Sequence, residues 1–262
     1  MKVVRRETLD GVCTVTLADE ARRNALGTQL LTELAEALDA AEADDDVRVI
    51  VLTNEGRVFC AGANLAERSA DSDTPPAPSA MRSPADLFGR FARSPKPYVG
   101  RIAGHCVAGG MGLAAAMDVA IATDDAKFGF TEVRIGVAPA MISVVCLPKM
   151  PAAAARAALL RGNRFSADEA VQLGLINSAV PRGRLDAEVD AVIGDLLAGS
   201  PAGIAASKRL LAEVPRMPVD EAFAWTSRLS ADLFATDDAR EGMRAFLDKR
   251  PAAWVRAVPA RE

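Results

Sequence analysis

One stretch constrains the chain more than any other: "VAGGMGLAAAMD", residues 107–118. An apolar run enters it, Gly109, Gly110 and Gly112 follow, and the segment continues into alanines. Backbone this bare lets another chain or a ligand come close. Gly110, Gly112 and Ala115 meet the minimal G-x-G-x-x-A spacing of a dinucleotide loop. The surroundings do not fit that use. Only about eight residues precede the next strand-like run, "VAIAT" (119–123), fewer than the dozen or so a parallel crossover needs. Asp124 and Asp125 also come too soon for a ribose acid about 20 residues beyond the glycines.

A second bare turn suggests a different use. "RVFCAGANL" (57–65) also runs from an apolar extended piece into small residues, Ala61, Gly62 and Ala63. Two such turns at strand ends can bring two backbone N–H groups to one point. A helix opening near Gly110 would aim its positive end there. Donors fixed on a developing oxyanion are worth about 3 kcal/mol each in the transition state. Glycines that only permit close helix–strand packing are the competing explanation.

The rest of the chain places these turns. "VCTVTL" (12–17) alternates and is β-branched, which predicts a strand. "VRVIVL" (47–52) is nearly continuous in apolar residues, as in a strand covered on both faces. Between them, residues 25–45 carry Leu30, Leu31, Leu34 and Leu38 at helical spacing, completing a β-α-β unit. "YVGRIAGHCVAG" (98–109) reads as a strand followed by glycines, and "KFGF" (127–130) and "VRIGVAP" (133–139) as short extended pieces. Residues 66–98 are rich in Pro, Ser and Asp, a loop with a short helix over 85–93. From Pro151 helices dominate; Ser166 with Glu169 makes a capping box, and Pro201 and Pro218 are placed in first turns. The expected organisation is an α/β core over 1–195 and a helical region over 196–262.

Composition narrows the function. A net charge of −4 with scattered basic residues argues against a nucleic-acid groove or an anionic membrane surface. No apolar run reaches spanning length and no signal segment opens the chain, so a cytoplasmic location is expected. Cys13, Cys60, Cys106 and Cys146 form no CxxC pair and read as buried reduced thiols. His105 is the sole histidine, too little for a zinc site, and no GxSxG accompanies it; a half-buried strand end is its expected place.

Five ordered blocks, "RRNAL" (22–26), "FCAGANL" (59–65), "GHCVAGGMGLAAAMDVAIAT" (104–123), "FGFTEVRIGVAPA" (128–140) and "RGNRFSADEAVQLGLINSAVP" (161–181), together resemble the crotonase, or enoyl-CoA hydratase/isomerase, family. The surroundings of "GGMGL" and "TEVRIGVAPAMIS" are similar to bacterial methylglutaconyl-CoA hydratase-like members. The resemblance implies an α/β spiral of ββα turns, a C-terminal helical region that forms a homotrimer or a dimer of trimers, and an acyl-CoA thioester as substrate. It implies no metal or redox cofactor, and a role in fatty acid or related lipid metabolism. Carried over by position, Ala63 and Gly109 supply the oxyanion amides. Arg23, Ala25, Leu26, Ala61, Leu65, Gly110 and Gly112 line the substrate groove, with CoA phosphates near Arg23. Phe246 and Lys249 of a neighbouring subunit close the site.

The family's hydratases generally hold two glutamates around a water. Here the second position is Glu132 and the first is Gly112; Asn64 stands where an aspartate is common. Hydration of a 2-enoyl thioester is the leading expectation, since a positioned acid or base is worth about 10²–10⁴ in rate and losing one of two need not abolish it. The alternative is movement of a double bond from C3 to C2, a natural one-base reaction for Glu132. Decarboxylation, thioester hydrolysis, and an acyl-CoA binder without chemistry are further possibilities. Glu132 could instead be a solvated turn residue or a partner of Arg134. Beside Phe128, Phe130 and Val133 a buried Glu132 would have a raised pKa. Glu67 and Asp86 are the loop acids that could replace the missing glutamate.

Overall fold

In the computed structural model, residues 2–69 and 84–260 are described. The chain opens with a hairpin, β1 (Val4–Leu9) against β2 (Val12–Leu17), turned by Asp10 and Gly11, both at positive φ as a tight hairpin turn requires. Helix α1 (Thr28–Ala43) crosses to β3 (Val49–Asn54), which pairs parallel with β2. Then come β4 (Val58–Cys60), α2 (Leu65–Ser69), α3 (Pro84–Arg93), β5 (Tyr98–Ile102), β6 (His105–Val107), α4 (Gly109–Ala116), β7 (Val119–Thr123) and β8 (Lys127–Gly129). Helices α5 (Ala140–Cys146) and α6 (Ala152–Arg161), strand β9 (Phe165–Ser166), helix α7 (Ala167–Gln172) and strand β10 (Ser178–Val180) complete the α/β part. The chain ends with α8 (Leu185–Ala198), α9 (Pro201–Glu213), α10 (Val219–Phe234) and α11 (Asp237–Leu247).

From β3 to β8 successive strands alternate between two sheets. One has the order β1-β2-β3-β5-β7-β10 and the other β4-β6-β8-β9. Each pass of the chain therefore lays one strand in the large sheet, bends, and lays the next in the small one, giving a spiral of ββ turns with helices outside. The run 98–109, expected as one strand, is split by this bend. Gly104 sits there because a β-carbon would fall 2.5 Å from the Arg57 carbonyl oxygen of the preceding turn. Asn54 ties neighbouring turns together: its Oδ1 accepts the Ala103 N–H at 3.0 Å.

The packing explains the apolar run of β3, in which every residue is buried. Ile50 and Leu52 face the main core with Leu17, Leu34 and Phe59. Val49 and Val51 face the opposite side, where Leu185, Val189, Ile193 and Leu197 of α8 cover the sheet. No single helix among the described residues is long and apolar enough to cross a membrane.

Local expectations fare unevenly. The capping box of Ser166 and Glu169 is present, and Pro201 is the first residue of α9. Pro218 is the residue before α10 and not in its first turn. "VRIGVAP" is not extended: Glu132–Ile135 form a 3-10 turn closed by Gly136 at φ 80°. Its β-branched residues mimic a strand, but Val133 and Ile135 are exposed and belong to neither sheet.

Candidate active site

Strands β4 and β6 are parallel neighbours, with Cys60 opposite Cys106. Their C-terminal ends therefore release both bare turns at the same edge. Contact between the turns is close. At Gly62, φ 87°, a β-carbon would lie 2.6 Å from the Ala108 β-carbon and 2.9 Å from the Gly109 nitrogen. Only glycine permits this approach and this backbone conformation together.

The two amides are left available by the local geometry. Leu26 pairs with the first turn through its own N–H to Gly62 O (2.7 Å) and through the Asn64 N–H to Leu26 O (3.4 Å). That pattern skips the Ala63 N–H. Gly109 is the first residue of α4, and the opening amides of a helix have no intrahelical acceptor. The turn before it is strained: Ala108 holds φ 49°, ψ −124°. Such a conformation costs on the order of 1–3 kcal/mol and persists when surrounding packing enforces it.

The "RRNAL" segment is bound to the same edge. Arg23 and Asn24 are both left-handed, at φ 55° and 51°. Asn24 is fully buried; its Nδ2 donates to Val58 O at 2.8 Å and its Oδ1 accepts from Asp19 N at 2.8 Å. The Ala61 N–H donates to Arg23 O at 3.1 Å. Arg23, Ala25, Leu26, Ala61 and Leu65 are thus brought together beside the turns. Gly110 is not turned toward them: its missing β-carbon faces Cys60, 2.5 Å from that carbonyl oxygen, so it packs α4 onto β4. Phe246 lies in the last turn of α11, 83% exposed, and Lys249 just beyond it, its N–H donating to Phe246 O at 3.2 Å. His105 opens β6, at the end opposite Gly109; its Nδ1 accepts the Lys127 N–H at 3.1 Å.

Glu132 begins the 3-10 turn after β8. Its Oε2 is buried and has no hydrogen-bond partner among the described residues. Burial pushes the carboxyl above its ordinary pKa. The Arg134 Nε donates instead to Gly162 O at 2.6 Å, and Arg134 is not among the groups that shift the Glu132 carboxyl. Cys146 of α5 lies close enough for its thiol to feel the Glu132 charge, and its Sγ sits 3.7 Å from Met111 O, the residue before Gly112. All four cysteines are free and buried, with the Cys60 thiol pushed up to about 12 by burial.

Neither candidate replacement acid is shown at Gly112. Glu67 caps α1, whose own cap residue Gly27 has no side chain: its Oε2 accepts from Thr28 N (2.9 Å) and its Oε1 from Asn64 Nδ2 (2.7 Å). These bonds hold its carboxyl below the usual range. Asp86 is an exposed residue of the first turn of α3. The side chains that approach position 112 are Phe88 and Ile142, which sequence reasoning missed. Phe88 stands in the correctly expected helix over 85–93, but no local pattern gives the distance from one helix to another.

The two-sheet spiral, with its two bare turns released at one edge, is the fold of a crotonase-type protein, and the chain belongs to the enoyl-CoA hydratase/isomerase family, whose model matches residues 7–257. Among its relatives is the enoyl-CoA hydratase EchA19 of Mycobacterium tuberculosis, 34% identical over 244 residues, covering 90% of each chain. The 2,3-dehydroadipyl-CoA hydratase of Escherichia coli is 30% identical over 240 residues, 91% of this chain and 93% of that one. The crystal structure of an enoyl-CoA hydratase from Mycobacterium smegmatis superposes with a TM-score of 0.89 at 31% identity, covering 96% of this chain and 98% of the other.

Proposed function

We propose that this member of the family is an enoyl-CoA hydratase that works with one carboxylate. The thioester oxygen of a 2-enoyl-CoA accepts from the Ala63 and Gly109 amides, which draws electrons from C3. Ionised Glu132 takes a proton from water as the water oxygen bonds to C3. The electrons of the double bond pass to the thioester oxygen, and the enolate is held by the two amides. Glu132 then returns a proton to C2, and the product is the 3-hydroxyacyl-CoA. Water supplies every atom added, so no redox partner enters. The observation that carries this proposal is the buried Glu132 Oε2, without a hydrogen-bond partner among the described residues, on a carboxyl whose raised pKa suits taking and returning a proton.

In the same proposal Arg23 meets the CoA phosphates, and Ala25, Leu26, Ala61 and Leu65 flank the pantetheine. Residues 196–262 assemble a homotrimer or a dimer of trimers, in which Phe246 and Lys249 reach a neighbouring site. Supporting the assembly, Phe223, Phe246 and Leu247 are 68%, 83% and 77% exposed in the single chain, more large apolar surface than a lone helical region usually shows.

One observation favours a second reading, double-bond isomerisation: the side chains of Phe88 and Ile142 crowd the position of the first family acid. Supplying a 2-enoyl-CoA and a 3-enoyl-CoA separately distinguishes the two. Hydration gives a 3-hydroxyacyl product from the first. Conversion of the second to the 2-enoyl isomer, with no water taken up from the first, would establish the isomerase. Tight binding of both without turnover would leave a binder.

A further inference from the structure

The small sheet carries a group of cations on its outer face that the proposed reaction does not use. Cys106, Phe128 and Phe165 are buried in the main core. Side chains alternate along a strand, so the residues just before them face the other way: His105 on β6, Lys127 on β8, and Arg164 immediately before β9. Gly129 gives the Arg164 side chain its room, since a β-carbon there would lie 3.5 Å from Arg164 Cγ. Arg57 joins from the turn before β4, where its carbonyl oxygen accepts the His105 N–H at 2.9 Å.

The half-buried His105 ring has a set tautomer. Its Nδ1 accepts the Lys127 N–H at 3.1 Å, so the neutral ring carries its proton on Nε2 and donates from there. Burial, and after it the charges of Arg164 and Arg57, hold the ring below its ordinary pKa, so this neutral donor is the form present at pH 7. Two guanidinium forks, an ammonium and an imidazole N–H make a set of donors with no acceptor among them.

The three cations are exposed, and none makes an ion pair among the described residues. The neighbouring acids are engaged or lie to the side. Both Asp125 oxygens accept from Arg182, and Glu169 accepts the Ser166 N–H in its capping box. Glu20 rests against Gly56. A chain of net charge −4 thus holds a local positive excess, narrow and flanked by carboxylates.

We propose that Arg57, His105, Lys127 and Arg164 form a binding site for a single phosphoryl group, as free phosphate or on a small molecule, separate from the thioester site. A phosphoryl group presents only acceptors at neutral pH, and guanidinium forks take two of its oxygens at once. The flanking acids oppose an extended polyanion, which needs a basic stripe. The site does not depend on the hydratase reading, because its residues take no part in that reaction.

His105 is the only histidine, so its ring protons give one isolated NMR signal on the full chain. Inorganic phosphate and glycerol 3-phosphate are titrated at pH 7 and constant ionic strength, with chloride making up the balance. Both should move the His105 signal to saturation; tighter binding of one names the free or the esterified source. With sulfate, which keeps its charge over the range, the His105 titration should move to higher pH, because a bound anion favours the protonated ring. Arg164→Gln and Lys127→Gln should each weaken phosphate binding by about tenfold, and if one does not fold the other is read in the same way. Arg23→Gln should leave phosphate affinity unchanged. A response that never saturates and matches chloride is ionic screening only, and overturns the proposal. So does a response lost in Arg23→Gln, which would put the anion in the thioester groove, or an oligonucleotide held more tightly than phosphate.

Discussion

Glu132 brings an ionisable oxygen into a buried place with no hydrogen-bond partner among the described residues, and both its chemistry and its cost follow from that. Its raised pKa means the folded protein holds this proton more tightly than the unfolded chain does. The destabilising effect of the ionised form is therefore absent well below the usual carboxylate value and complete above the raised one. Glu132→Gln should raise Tm at neutral pH and leave it nearly unchanged in acid; a shift equal at both would contradict the assignment. Hydration needs the ionised form, so kcat/KM should fall as pH drops through the raised pKa, on an acid limb above the ordinary carboxylate range. Ala108 is the other telling residue. Ala108→Gly should relieve about 1 kcal/mol of backbone strain, seen in urea unfolding, while lowering kcat by loosening the Gly109 amide. Gly62→Ala should cost both stability and rate, because its β-carbon meets Ala108 and the Gly109 nitrogen.

At the scale of elements, α3 is fastened by charges that reach three other segments. Lys208 is 7% exposed at its side chain, pairs with Asp118, and donates to Phe91 O. Asp118 in turn accepts the Tyr98 N–H at 2.7 Å. Lys208→Met should destabilise the fold by roughly 1–3 kcal/mol, measured by urea denaturation, because it removes a partner from Asp118 and from a buried carbonyl. No change would mean that the clamp contributes little. Much of the fold at this scale was legible in the sequence: the amphipathic α1, the doubly covered β3 and the capping box of α7 each carry a local pattern set by their own packing. The split of 98–109 into two strands was not, since the bend answers to the Arg57 carbonyl of another turn. The 3-10 turn of Glu132 was missed because exposed β-branched residues imitate a strand. The same limit applies to the site: Gly62 and Gly109 announce themselves by being bare, whereas Phe88 and Ile142 matter only through what they touch. The loop expected over 66–98 falls, for 70–83, outside the described residues; its first residues belong to α2, and the short helix expected over 85–93 is α3.

The whole molecule presents an α/β spiral whose two bare turns meet at the strand C-termini and whose last helices leave large apolar residues uncovered. Sedimentation equilibrium should give a mass of three or six chains, and Phe246→Ser should shift it downward; a single-chain mass at all concentrations would remove the assembly and the borrowed residues with it. The central claim is that two amides and one carboxyl suffice to hydrate an enoyl thioester. The direct measurement is the loss of crotonyl-CoA's conjugated absorbance, with the product identified by mass, for wild type and Glu132→Gln. The result expected is 3-hydroxybutyryl-CoA from wild type and a rate about 10²–10⁴ lower for the variant. Full hydration by Glu132→Gln would show that another group moves the proton.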